Sequence, residues 1–188
     1  MLLNLTMEEA RDFIESAEII RKDQVIPGHF RPCPDSTYKP GLDWLYRYER
    51  AMMKSLEPVL TSLPPDLIGE KSLFHAALSN AFRHAHHGDR LKPITVSVLQ
   101  GRKGFLIQVT DCGRGFNLHK IYKHCRRKRR YLTPVGSGIR RMAESRRYGV
   151  FYNPKGTAFH LLYLFEDDLE KHFSHKLTVL LEPHAEAA

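Results

Sequence analysis

The stretch Thr110-Asp111-Cys112-Gly113-Arg114-Gly115-Phe116 follows an alternating apolar run, Phe105, Ile107 and Val109, whose period of two predicts a strand entering the core. An acid and two glycines at the end of such a strand narrow what the chain can do there. An ionised carboxylate only accepts hydrogen bonds, so Asp111 suits an amino group such as the exocyclic amine of an adenine. Glycines two and four residues later let the backbone turn sharply and approach a flat ligand with no Cβ in the way. Taken alone, the same residues also make an ordinary tight turn after a strand. The surrounding elements decide between the two.

Upstream, Ile94, Val96 and Val98 alternate as a partner strand, and Gly101-Arg102-Lys103-Gly104 supplies a hairpin loop, so antiparallel pairing is the simplest connection. Ahead of that hairpin, Phe74, Leu78, Ala81, Phe82 and Ala85 share one face of a helix, and Gly88-Asp89 lies just beyond its end. The opposite face carries Ala76, Asn80, Arg83, His84 and His87, which reads either as a solvated polar face or as a face serving a phosphate and its magnesium. Of the three histidines His84, His86 and His87, only the first and last share a face, and no cysteine or carboxylate at ligand spacing completes a metal set. An earlier helical stripe, Leu45, Tyr48, Met52, Leu56, Val59 and Leu60, is stopped at Leu63-Pro64-Pro65, with Pro58 placed to kink it.

At the N-terminus, Thr6 and Glu9 form a capping box, and Ala10, Phe13, Ile14, Ala17 and Ile20 recur at helical spacing. These predict an amphipathic helix from about residue 7 to 22, whose stripe packs on the body of the domain or on a second copy as a homodimer contact. Pro27, Pro32 and Pro34 confine any strand nearby to an edge, and one short edge strand is expected at His29 to Arg31. Beyond Phe116, a stretch reaching Val135 has few apolar groups and the length of a lid or a disordered loop. Gly136-Ser137-Gly138 then opens a helix carrying Ile139, Met142 and Ala143. Unpaired amides at such a start favour an anion, while the simpler reading makes Ser137 an N-cap. Gly149 to Tyr152, a turn at Asn153 to Gly156, and Thr157 to Leu164 predict a final hairpin.

A charge of +8 on 188 residues is placed unevenly, with seven basic side chains between Lys120 and Arg130. Nucleic acid, nucleotide phosphates and an acidic protein all satisfy such a cluster. Only Tyr122 and Tyr131 could stack bases there and no nucleic-acid fold motif accompanies them, so nucleic acid ranks last of the three. No run approaches the roughly 20 apolar residues of a membrane span. The three cysteines, Cys33, Cys112 and Cys125, have neither disulfide-framework nor zinc spacing, so a cytoplasmic, reduced protein is expected.

Taken in order, Asn80-Ala81-x-x-His84 on a helix, Asp111-x-Gly113-x-Gly115-Phe116 after a strand, Gly136-x-Gly138-Ile139 opening a helix and Gly156-Thr157 opening a strand form a set. The set resembles the N, G1, G2 and G3 boxes of the histidine kinase-like (GHKL) ATPases, over roughly residues 28 to 165. The resemblance implies a two-layer α/β sandwich with a mixed, mostly antiparallel sheet, helices on one face, and ATP held between helices and a mobile lid. It divides the chain into a helical extension at 1–26, the ATPase domain at 27–166 with its lid at about 117–135, and a tail at 167–188. Carried over by position, Asn80 would hold Mg2+, Asp111 would bind the adenine amine with Thr157 assisting, and His84 would lie near the phosphates. Gly113 and Gly115 would let the backbone close on the base, and Gly136, Ser137 and Gly138 would form the phosphate-binding end of the lid.

Within that family the chain looks most like the bacterial anti-sigma-factor serine/threonine kinases, because no dimerising phosphoacceptor hairpin is recognisable ahead of Asn80. The resemblance implies a partner protein, such as a sigma factor or an anti-sigma antagonist, that is phosphorylated or sequestered. One position departs from the pattern. Those kinases carry a glutamate as general base one turn before the asparagine, and here that position is Ala76. A methyl group takes no proton, and loss of a positioned base costs about 10²–10⁴-fold in rate. A nucleotide-dependent binding module without phosphoryl transfer is therefore the companion expectation.

Overall fold

The computed structural model describes residues 2–31, 33, 38–39, 41–60, 62–118, 141–142, 144–165 and 169–173. Five strands form one sheet: β1 (Glu18–Val25), β2 (Ile94–Gln100), β3 (Gly104–Thr110), β4 (Gly149–Tyr152) and β5 (Ala158–Leu164). Their spatial order is β1-β2-β3-β5-β4, every neighbouring pair is antiparallel, and β3 stands at the centre. A parallel bridge, Leu2 to Val150, extends the β4 edge. The hairpins expected at 94–110 and at 149–164 both form, with Val96 opposite Val109 in the first and Val150 opposite Leu161 in the second. Among the described residues no helix is long and apolar enough to cross a membrane.

One sheet face, with Val25, Ile94, Val96, Phe105, Ile107 and Leu161, packs against α2 (Asp43–Leu56) and α3 (Leu73–Asn80). Trp44, Leu45, Met52 and Phe74 fill that layer and are fully buried. The opposite face was expected to be bare of helices and is not. Leu99, Leu106, Phe151 and Leu162 on it are covered by Leu3, Leu5, by Ala10 and Ile14 of α1 (Met7–Ile14), and by Leu169 and Phe173 of α4 (Leu169–Phe173). The architecture is thus a sheet with helices on both faces, the cover of the second being smaller.

The N-terminal region departs most from expectation. The capping box forms, with Glu9 N–H on Thr6 Oγ1 at 3.1 Å and Thr6 N–H on Glu9 Oε2 at 2.8 Å, but the helix ends at Ile14. Glu15 and Ser16 follow with φ of 55° and 52°, and residues 18–25, expected to be partly helical, are the edge strand β1. The β2–β3 loop causes this. Arg102 N–H bonds to Glu15 O and Lys103 N–H to Ile14 O, each at 3.0 Å, while Gly101 passes so close that a Cβ there would sit 2.2 Å from Ile14 O. Pairing of the loop with the helix's last carbonyls satisfies them and stops the turn. The edge strand expected at His29 to Arg31 is likewise absent, and Pro27–His29 make a single 3-10 turn instead. Pro58 does not kink α2, since the helix stops two residues before it.

His160 of β5 is buried on the second face, stacked on Phe151 with ring centroids 4.4 Å apart. Burial pushes its pKa down to about 4 from 6.5. The unfolded chain takes up this proton below pH 6.5 while the folded protein resists it until about 4, so the stability this depression confers is complete above pH 6.5 and is lost as pH falls to about 4. That loss amounts to about 3 kcal/mol. In urea titrations across this range, the midpoint of the H160Q variant is expected to fall less than that of the wild type.

Candidate functional site

The central strand delivers Asp111 to one end of the sheet. Its N–H donates to Thr157 O at 3.0 Å across the β3–β5 pair, and its Oδ1 accepts Gly113 N–H at 2.8 Å in a local turn. Oδ2 has no hydrogen-bond partner among the described residues. Partial burial raises the Asp111 pKa; the Gly113 bond and the nearby His86 oppose that shift. A half-buried acceptor oxygen with spare capacity is the chemistry an amino group needs.

Close approaches of backbone fix the loop after Asp111. A Cβ on Gly113 would lie 2.7 Å from Ala85 Cβ, and one on Gly115, whose φ is +70°, would lie 2.0 Å from Lys155 O. Phe116 N–H then bonds to the same Lys155 O at 3.1 Å, and the Phe116 ring meets Tyr152 edge to face at 5.1 Å. The missing side chains leave room for the π-turn Ala81–Ala85 after α3 beside Gly113 and for the β4–β5 turn beside Gly115. In that β4–β5 turn, Asn153 Oδ1 accepts Thr157 N–H at 2.9 Å, and Asn153 Nδ2 donates to Thr157 Oγ1 at 3.1 Å.

Three of the four motif stretches therefore meet. Asp111 and Thr157 are joined directly, and the α3 motif reaches them through its π-turn, where Ala85 touches Gly113 and His86 Nε2 lies 3.2 Å from the Cys112 sulfur. Asn80 closes α3 with its side chain exposed, and His84 is exposed in the π-turn, so the polar face expected of this helix is solvent-facing. Gly136, Ser137 and Gly138 lie outside the described residues, as do positions 119–135 of the expected lid with the whole basic cluster, and the acidic residues at 166–168. Arg141, Met142 and Glu144 are helical, and the Arg141 guanidinium reaches the carbonyl of Lys71 and that of Ser72 at the start of α3.

The residues fit an adenine nucleotide in part. Asp111 and Thr157 supply the acceptor and hydroxyl that a base would use, and no group of three His, Cys, Asp or Glu side chains forms a metal set among the described residues. A magnesium ion here would be held chiefly by phosphates, with Asn80 as the protein's ligand, which is how this cation is commonly bound. A broad concavity near the α1–β1 turn, lined by Glu8, Asp12, Glu15 and Glu18, contains none of the motif residues.

Two pairings left little trace in the sequence pattern. His86 is buried beside Cys112, a contact that depends on the π-turn and has no periodic signal. Glu49 of α2 is fully buried, where its carboxylate accepts the Tyr38 hydroxyl and the Gly69 N–H at 3.0 Å and faces His75 Nδ1 at 3.0 Å. A signal for it exists: Glu49 lies four residues after Leu45 and three before Met52, inside the apolar stripe.

No family model matches the chain, and no curated protein matches it.

Proposed function

We propose that the protein is an ATP-binding regulatory protein of the histidine kinase-like ATPase type, resembling the anti-sigma-factor serine/threonine kinases. Its role would be to phosphorylate or sequester a partner such as a sigma factor or that factor's antagonist. The observation that carries this reading is the seat of Asp111, a half-buried carboxylate at the end of the central strand, tied to Thr157 and backed by the π-turn after Asn80. On this reading Asp111 accepts the adenine amine, Thr157 orients the base, Asn80 holds Mg2+ against the phosphates, and His84 serves the phosphates. Bound ATP would supply the phosphoryl group, and the chain's own side chains position it and neutralise its charge.

Thermal unfolding with and without Mg-ATP tests the site. Ligand at about 100 times its Kd stabilises by about 2.7 kcal/mol, which for a chain of this size raises Tm by about 5–10 °C. The wild type is expected to show that rise and D111N to lose most of it. A wild type indifferent to Mg-ATP overturns the reading.

Ala76 favours a second reading, a module in which the nucleotide orders a partner surface without phosphoryl transfer. It lies one turn before Asn80 on α3, with its N–H bonded to Ser72 O at 3.2 Å, and its methyl cannot accept a proton. Installing a base with A76E is expected to raise phosphoryl transfer to the cognate partner by about 10²–10⁴-fold. Equal transfer by both proteins would mean that the base is not what limits the native chain.

A further inference from the structure

The β4–β5 turn fixes the direction of one hydrogen bond beside Asp111. Asn153 follows β4, and its Oδ1 accepts two backbone donors, Thr157 N–H at 2.9 Å and Ala158 N–H at 3.0 Å. Those two bonds identify which end of the amide is oxygen. The other end, Nδ2, can only donate, so Thr157 Oγ1 accepts from it at 3.1 Å. A hydroxyl that accepts there keeps its own proton for another acceptor, and no other bond of Thr157 Oγ1 forms among the described residues. The other branch of the side chain is pinned as well, since Thr157 Cγ2 lies 2.9 Å from where a Cβ on Gly115 would sit. Asp111 stands directly across from Thr157. The β3–β5 ladder pairs Thr110 with Ala158, and the next pair is tied by Asp111 N–H on Thr157 O at 3.0 Å. Opposite residues of an antiparallel pair point to one face with Cβ atoms about 4.5–5.5 Å apart, so the open acceptor of Asp111 and the donor of Thr157 lie side by side.

We propose that Asn153 is a positioning residue that sets the polarity of this site, holding the Thr157 hydroxyl as a donor so that Asp111 and Thr157 together select an amine beside an unprotonated ring nitrogen. Asp111 takes the amine and Thr157 takes the nitrogen. Adenine carries that pair on both edges, since N1 and N7 flank its amine as acceptors. A purine without the amine leaves the carboxylate with no donor, and one with C–H in place of the ring nitrogen strands the Thr157 proton. The direction of the bond depends on the amide nitrogen of Asn153. In N153D one carboxylate oxygen still accepts both backbone N–H groups, but the other has no proton to give. The Thr157 hydroxyl then turns to donate to it and shows the ligand lone pairs instead. This selectivity rests on the reading of Asp111 as a nucleotide seat and adds to it which edge chemistry of the base is read.

Binding of ATP, 1-deaza-ATP, 7-deaza-ATP and the amine-free purine riboside triphosphate, each with magnesium, is measured by titration calorimetry on the full chain. The wild type is expected to bind ATP about tenfold tighter than one of the two deaza analogues, because the missing nitrogen strands the Thr157 proton, and to bind the amine-free analogue more weakly too. In N153D the preference for ATP over that deaza analogue is expected to disappear or reverse. A merely structural loss in the turn would weaken both ligands alike and leave their ratio unchanged. T157V, which keeps the shape and removes the hydroxyl, is expected to abolish the preference as well. Equal wild-type affinity for ATP and both deaza analogues overturns the donor role of Thr157, even where weak binding of the amine-free analogue upholds the nucleotide reading. A preference that persists in N153D overturns the role of Asn153. A wild type that binds no ATP overturns the nucleotide reading itself and this selectivity with it.

Discussion

Replacing Glu49 with alanine is expected to destabilise the fold by about 3–5 kcal/mol, because several buried donors lose their acceptor together. The carboxylate is fully buried between α2 and α3 and serves three donors at once: the Tyr38 hydroxyl, the Gly69 N–H and the His75 ring. Burial and this bond to Glu49 both raise the Tyr38 pKa, holding the phenol protonated as a donor. Truncation strands donors from three separate segments, and each stranded buried group costs about 1–3 kcal/mol. A typical domain holds only about 5–15 kcal/mol in total, so urea unfolding should show a large drop in midpoint. E49Q keeps one acceptor oxygen and is expected to lose less. A change below about 1 kcal/mol for E49A would mean that water replaces the carboxylate without penalty.

The second large effect is expected at Gly115. Alanine there must adopt φ near +70° and bring its Cβ within 2.0 Å of Lys155 O, the carbonyl that accepts Phe116 N–H. The positive φ alone costs about 1–2 kcal/mol for a residue with a side chain. Moving the carbonyl aside also breaks a bond worth about 1 kcal/mol, so a total of about 2–3 kcal/mol is expected. Gly41 is the internal control. Its φ is +82° and a methyl group there would meet nothing within 4 Å, so G41A should show the dihedral cost alone. Equal losses in G115A and G41A would remove the close approach from the explanation.

Much of the sheet was legible because Ile94, Val96 and Val98 of β2 and Phe105, Ile107 and Val109 of β3 recur with a period of two and share the face that α2 and α3 cover. The β1 strand was not. Ala17 and Ile20 fit a helical period as well as they fit anything, a bulge between Ile19 and Arg21 breaks the strand's own alternation, and no glycine or proline separates the helix from the strand. Half of the candidate site was equally legible. Asp111 and Thr157 belong together by their motif positions, and the bond between them makes them direct neighbours in the fold. The cysteine–histidine contact was hidden, since it depends on where a π-turn brings His86 relative to a loop 26 residues away.

Local chemistry in the sequence thus determined which segments of the sheet's centre are strands, where the Thr6–Glu9 cap starts α1, and which carboxylate ends the central strand. Tertiary structure decided where α1 stops, which faces of the sheet are covered, and which segments Gly101, Gly113 and Gly115 lie against. The physical reason is range. Period, capping and turn preference act over about four residues, whereas Gly101 against Ile14, Gly113 against Ala85 and Gly115 against Lys155 are close contacts between segments far apart in the chain, and they exist only once the sheet has assembled.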